Sequence, residues 1–334
     1  MEHRNLGRTG LKVSRLGLGC GNFGGVGSDP RFFGKGEGEA EAFVLMDRAL
    51  EIGINFFDTA DAYGGGRSES FIGRWLKTKD ASVVDRTLVS SKAFNPVGDG
   101  PNDRGLSRRH LKRQVERSLK RLGIERLDMF LIHEPDPETP LEETLEALDD
   151  LIHQGKIHYV GASNIEAWRL AKALGVSERL GLNRFEWVQN GYSLLERAPE
   201  REVFPLCAEE GLGFTPFSPL AGGWLTGKYA SADSFPQGSR MTVRPEPYAH
   251  LRNESVLRAI AAFGARARER GVTMAALALA WVLSHPRTTA VILGPRRPEH
   301  LDAGEEALSI RLSDAERNDI SSLFAPAPGP GLSL

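Results

Sequence analysis

Short apolar runs recur along the chain, separated by longer segments whose apolar positions return every three to four residues. The runs fall at residues 16–19, INFF (54–57), TLVSS (87–91), MFLI (129–132), HYVGA (158–162), EWVQ (186–189), GFTPF (213–217) and AVIL (290–293). Each has the length of a strand. The helical signals between them are strong. SRRHLKRQVERSLKRLG puts Leu111, Val115 and Leu119 on one face, with Ser107 as N-cap and Gly123 as stop. TPLEETLEALDDLIHQG aligns Leu141, Leu145, Leu148 and Ile152; Thr139 and Glu142 are predicted to form a capping box around Pro140, with Gly155 as stop. Continuously apolar strands alternating with helices predict a parallel sheet covered by helices. Eight such units in 334 residues predict a (β/α)8 TIM barrel rather than an open doubly wound sheet. Two β-prone pieces flanking Gly7 and Gly10 add an N-terminal β-hairpin. The barrel is expected to fill residues 1–324 as one domain, and the Pro/Gly-rich tail at 325–334 to be disordered. Segment 221–248, rich in Gly, Pro and Ser, reads as a long functional loop after the seventh strand.

Composition narrows the classes. A net charge of −2 with 40% apolar and 26% charged residues describes an ordinary globular chain. It offers no electrostatic attraction for nucleic acid or a membrane surface. The longest apolar run, MAALALAWVL (274–283), is about half a membrane span. Cys20 and Cys207 are too few for a disulfide framework and too scattered for a metal site, which suits a reducing, cytoplasmic setting. The opening MEHRNLGRTG lacks the apolar core of a secretory signal.

Two glycine-rich stretches invite a phosphate-binding reading. GCGNFG (19–24) matches G-x-G-x-x-G, but the chain continues GVGSDPRFFGKGEGE, which cannot be the helix that a dinucleotide fold requires there. GGGRSE (64–69) lacks the G-K-[ST] ending of a P-loop. Its glycines suit a chain leaving the barrel rim and turning into a helix.

The strand ends carry the chemistry. Asp58, Lys92, His133, Ser163–Asn164, Gln189, Ser218 and Gly294 stand at the ends of the second to eighth strands, on what a barrel makes a single rim. Any one of them could be a solvated terminus; together they point to one site. Tyr63 follows Asp58 by five residues. A lysine ammonium beside a phenol favours the phenolate and lowers a pKa that is ordinarily about 10. The phenol then becomes a proton donor to a carbonyl oxygen at neutral pH. Asp58 would pair with Lys92, and a neutral His133 would donate to the same carbonyl oxygen. No acyl nucleophile and no glutamate pair is evident, and proton donation to a carbonyl needs a hydride source on the other face, so a nicotinamide cofactor is implied.

FFDTADAYGGGRSE, LVSSK, RSLKRLGIERLDMFLIH, GKIHYVGASN, PFSPLAGGWLTGKY and GPRRPEHL together resemble the aldo-keto reductases over roughly residues 3–320. The resemblance is to the branch holding aflatoxin-aldehyde reductases, potassium-channel β-subunits and bacterial sugar or inositol dehydrogenases. It implies a catalytic tetrad of Asp58, Tyr63, Lys92 and His133, with Tyr63 as the acid. It also implies that Ser163, Asn164 and Gln189 grip the nicotinamide carboxamide and that Phe217 stacks on the ring. Ser218, Leu220, Gly222 and Lys228 would hold the pyrophosphate, with Gly19, Cys20 and Gly21 lining the nicotinamide side through the backbone. Beyond Gly294, Arg296 and Arg297 precede a helix N-terminus and suit a 2′-phosphate, which favours NADPH over NADH. Ala303, Gly304 and His300 depart from the residues usual at the adenine in that family. Phe23, Tyr63, Trp224 and residues of the 221–248 loop, with Phe32 and Phe33, are expected to wall an aromatic pocket for a small-molecule carbonyl substrate. A reductase of aldehydes, ketones or sugars is the leading reading. An NADP(H)-sensing regulatory subunit and a Schiff-base aldolase acting through Lys92 are the alternatives. Oligomeric state is not legible.

Overall fold

The computed structural model describes residues 1–229 and 231–324, so the tail expected to be disordered lies outside the described residues. Strands β1 (His3–Asn5) and β2 (Lys12–Ser14) form an antiparallel hairpin. Eight strands follow: β3 (Leu16–Gly19), β4 (Phe56–Asp58), β5 (Leu88–Ala93), β6 (Leu127–Ile132), β7 (Ile157–Ser163), β8 (Trp187–Gln189), β9 (Gly213–Phe214) and β10 (Val291–Leu293). They pair in parallel in the order β10-β3-β4-β5-β6-β7-β8-β9. The ring closes where Thr289 N donates to Phe214 O (2.8 Å) and Ile292 N to Pro216 O (2.9 Å). This is the TIM barrel with an N-terminal hairpin. β9 is shorter than the GFTPF run because Pro216 has no N–H to give to a ladder.

Two apolar cores follow from the two faces of each strand. Phe56, Met129, Leu131, Trp187, Ala290 and Ile292 fill the barrel interior, and Leu6 and Val13 of the hairpin plug its lower end. Glycine makes room there. A Cβ on Gly17 would sit 2.2 Å from Phe56 Cζ, and one on Gly161 2.6 Å from Trp187 Cδ2. Outward-facing strand residues pack under the helices in a second, larger cluster.

The helix Arg108–Leu122 has Ser107 as cap and ends on Gly123 at φ 69°. The predicted Thr139 capping box does not form. Asp136 accepts from Thr139 Oγ1 (2.8 Å), Leu106 N and Glu138 N, so the threonine hydroxyl is engaged and the helix Leu141–His153 starts without a side-chain cap. Segment 221–248 has its own structure: 3-10 turns at Ala221–Thr226 and Glu246–Leu251 flank a short helix, Arg240–Val243. Among the described residues no helix is long and apolar enough to cross a membrane.

Candidate active site

The carboxyl ends of the strands open into a cavity of about 1140 Å³. Its floor is built by neighbouring strands. Asp58 ends β4, Lys92 lies near the end of β5, and His133 follows β6. The Lys92 ammonium is fully buried and donates to Asp58 Oδ2 (2.6 Å) and to Thr59 O (2.8 Å). Gln189 Nε2, from the end of β8, donates to the other Asp58 oxygen at 2.9 Å. Lys92 Nζ stands 5.3 Å from the centre of the Tyr63 ring. Tyr63 begins a 3-10 turn whose following Gly64 has φ 58°, so the chain folds back and presents the phenol to the cavity.

The electrostatics follow from burial and neighbours. Burial disfavours the Lys92 ammonium, yet Asp58 and Tyr63 outweigh it and hold its pKa above the ordinary value. Burial pushes the Tyr63 phenol up; Lys92 pulls it back and Asp58 opposes Lys92. The net lies above the ordinary phenol value, whereas the sequence led us to expect it below. Desolvation of the phenolate is the larger effect here. His133 is pushed down to about 3 by burial and by Lys92, so it is neutral. Its Nδ1 lies 3.0 Å from Asn95 Nδ2 and its Nε2 3.4 Å from the Tyr63 hydroxyl. An amide nitrogen only donates, so Nδ1 accepts and the proton sits on Nε2, facing the phenol.

The remaining rim residues gather round the same cavity. Gly19, Gly21, Ser163, Asn164, Gln189 and Phe217 line it together with Asp58, Tyr63 and His133. Ser218, Leu220, Gly222 and Lys228 line its flank, and Gly294, Arg296, Arg297 and His300 its far end. Among the described residues only Asn164, Ser218 and Ala221 have positive φ without being glycine (51°, 54° and 47°). Two of these line the cavity and the third starts the next turn, which places backbone strain at the site. Gly222, at φ 64°, lies under the Tyr248 ring, and a Cβ there would come within 2.6 Å of it.

Four expectations change. Cys20 is fully buried, does not line the cavity, and has its thiol pushed well above its ordinary value by burial, then by Asp58. Phe23 and Trp224, expected against substrate, are fully buried in the outer core; Trp224 packs edge-on to Tyr229 and Phe235. Phe32 and Phe33 also stay off the cavity wall. Their rings gain more from packing beneath the loops than from facing an open cavity. Finally, Arg296 is not a free cation: its Nε meets Glu37 Oε1 at 2.6 Å and its Nη1 meets Gly238 O at 2.5 Å.

The far end fits an anion. Burial lowers the Lys228 pKa, and Arg240, Arg296 and Arg297 lower it further. His300 is lowered by burial, then by Arg297 and Lys228. Cations that depress one another inside one cavity call for negative charge between them. Of the acids on the same wall, Asp302 pairs with Arg48 (3.0 Å), Glu306 caps Thr273 (3.0 Å to its N–H), and the exposed Glu299 raises His300 by less than burial, Arg297 and Lys228 lower it. Ala303 faces the cavity, while Gly304 packs against Leu293 and Leu16, where a Cβ would sit about 3.0 Å from Leu16 Cδ1. The pyrophosphate of a nicotinamide dinucleotide would match this charge.

Arg240, Arg244 and Tyr248 line the cavity from segment 221–248, the loop expected to contribute to the pocket; Asn95 and Glu37 also belong to the site or its supports, and no motif in the sequence marked them. Their roles arise from contacts between distant loops. Arg240 reaches Asn22 Oδ1 (2.9 Å), and Tyr248 OH reaches Ser218 Oγ (2.8 Å).

Similarity to known proteins agrees with this geometry. The model of the aldo/keto reductase family matches residues 15–325. An uncharacterized oxidoreductase, YrpG, of Bacillus subtilis (strain 168) is 39% identical over 99% of this chain and 97% of its own. A probable voltage-gated potassium channel subunit beta of Arabidopsis thaliana is 36% identical over 93% and 92%. An L-glyceraldehyde 3-phosphate reductase of Escherichia coli (strain K12) is 33% identical over 92% and 88%. With a match of that extent over a parallel barrel of this form, the chain belongs to the aldo/keto reductase family.

Proposed function

We propose that this protein is an NADP(H)-dependent carbonyl reductase in which Tyr63 donates the proton. The carrying observation is the cluster at the cavity floor: a buried Lys92–Asp58 pair beneath Tyr63, with neutral His133 presenting Nε2–H to the phenol. A bound nicotinamide supplies the hydride. The chain's own residues do the rest. His133 Nε2–H and the Tyr63 hydroxyl hold the carbonyl oxygen between them and set the face that is reduced. As negative charge grows on that oxygen, Tyr63 passes its proton to it. Lys92 stabilises the phenolate left behind, and Asp58 favours the charged Lys92 in a site where burial acts to lower its pKa.

Ser163, Asn164, Gln189 and Phe217 would hold the nicotinamide, and Ser218, Leu220, Gly222 and Lys228 the pyrophosphate. Arg297 and His300 would take the 2′-phosphate, which favours NADPH over NADH. The test is NADPH oxidation with a panel of aldehydes, ketones and sugars, run beside Tyr63→Phe. Turnover that collapses in the variant supports the reading; turnover undiminished in it removes Tyr63 as the acid. Similarity to a channel β-subunit favours a second reading, a cofactor-sensing regulatory subunit. It requires tight NADPH binding with negligible turnover on every carbonyl.

A further inference from the structure

The cavity wall beside Tyr63 differs from the aromatic pocket that the sequence suggested. The rings that line the cavity are Tyr63, Phe217 and Tyr248. Ser28, Asn95, Glu134 and Arg244 are among the polar side chains that also line it. Arg244 can be placed close to the phenol by short steps. Gly27 N donates to Gly21 O (2.7 Å), and Gly64 N donates to Gly27 O (3.0 Å). A Cβ on Gly21 would lie 3.5 Å from Tyr63 Cε2, and one on Gly27 2.3 Å from Arg244 Nη1. The guanidinium therefore borders the loop that packs on Tyr63.

Arg244 is also held without a carboxylate. Its Nη1 donates to Val26 O (2.9 Å), and its guanidinium lies 5.3 Å from the Phe32 ring. It forms no ion pair among the described residues, whereas Arg296 has Glu37. Asp29, within its field, is bound by Arg31 at 2.5 Å. A fixed arginine facing a cavity with unused donors is suited to a carboxylate or a phosphate. Ser28, Asn95 and Glu134 add donors and acceptors suited to hydroxyl groups.

We propose that the substrate is an anionic carbonyl compound, carrying a carboxylate or a phosphate, and that Arg244 selects it. This rests on the reductase reading above. Arg244 acts on specificity, not on the proton transfer.

The test compares carbonyls matched except for charge: succinic semialdehyde with butanal, and glyceraldehyde 3-phosphate with glyceraldehyde. The wild type is expected to favour the charged member by tenfold or more in kcat/KM, and the pair with the larger ratio tells carboxylate from phosphate. Arg244→Gln should remove the preference through KM for the charged member, and Arg244→Lys should keep part of it. The Kd for NADPH is measured in parallel. Equal efficiency toward both members in the wild type overturns the proposal. So does an Arg244→Gln variant whose NADPH affinity falls as far as its KM for the anion rises, since Arg244 would then serve the cofactor. Butanal turnover without charge preference leaves the reductase reading standing while the proposal fails. No oxidation of NADPH with any carbonyl removes both.

Discussion

Asn95 Nδ2 lies 3.0 Å from His133 Nδ1, and this contact fixes which nitrogen of the imidazole carries the proton. Replacing Asn95 with Leu removes the donor and lets the proton move to Nδ1. A hydrogen bond of this kind is worth about 1 kcal/mol, so kcat should fall about five- to tenfold. Steady-state kinetics would check it, with the Kd for NADPH as control. An unchanged kcat would mean that the tautomer does not matter.

Tyr63 has its phenol raised above the ordinary value of 10.0, chiefly by burial. A proton donor of that kind stays protonated across the neutral range, so the reductive kcat should be flat with pH until about 10. His133, already neutral above about 3, adds no limb near neutrality. A pH–rate profile in the reductive direction checks both; a descending limb near pH 7 would contradict them.

Lys92→Met removes the cation that stabilises the phenolate and leaves Asp58 buried without its partner. Activity should fall by about a hundredfold or more. Urea unfolding should show a loss of about 3–5 kcal/mol, as for other broken buried pairs. The double variant Asp58→Asn, Lys92→Met should recover stability but not activity.

Asp61 is 2% exposed, and its carboxylate meets no side-chain donor, only the backbone N–H of the adjacent Ala62. Burial, then the Glu69 charge, pushes its pKa well above 3.8. The folded state therefore binds a proton that the unfolded chain releases above about 3.9, and this penalty grows as pH rises toward the folded pKa. Asp61→Asn should be more stable than the wild type at pH 7 and no more stable at pH 3. Thermal melts at the two values decide it.

Glu37 holds Arg296 at 2.6 Å on the cavity wall. Because Arg296 is 36% exposed, Glu37→Gln should cost at most about 1 kcal/mol of stability. Freed from its carboxylate, Arg296 can turn to the 2′-phosphate. NADPH binding should tighten severalfold and NADH binding should not change. An unaltered ratio of the two affinities would mean that Arg296 does not reach that phosphate.

The barrel was legible because it rests on local pattern. Apolar runs such as MFLI and HYVGA, and stops such as Gly123, encode strands and helices through periodicity and backbone freedom, and eight repeats of one unit leave few ways to close a sheet. Asp58, Lys92 and His133 were legible for the same reason, since their place at strand ends follows once the strands are known. Other features depend on which loops meet. Thr139 was lost as a cap because Asp136 reached it first, and Phe23 and Trp224 turned into the core because packing there buries more of each ring. The Glu37–Arg296 pair and the Asn95–His133 contact join segments separated by 259 and 38 residues, and no local rule connects them. The Tyr63 phenol was misjudged in direction because a neighbouring charge can be inferred from sequence, whereas the desolvation that outweighs it depends on every group packed around the ring. Sequence alone determined the elements and the rim; burial, and therefore charge state and pocket lining, was decided only when the loops folded over that rim.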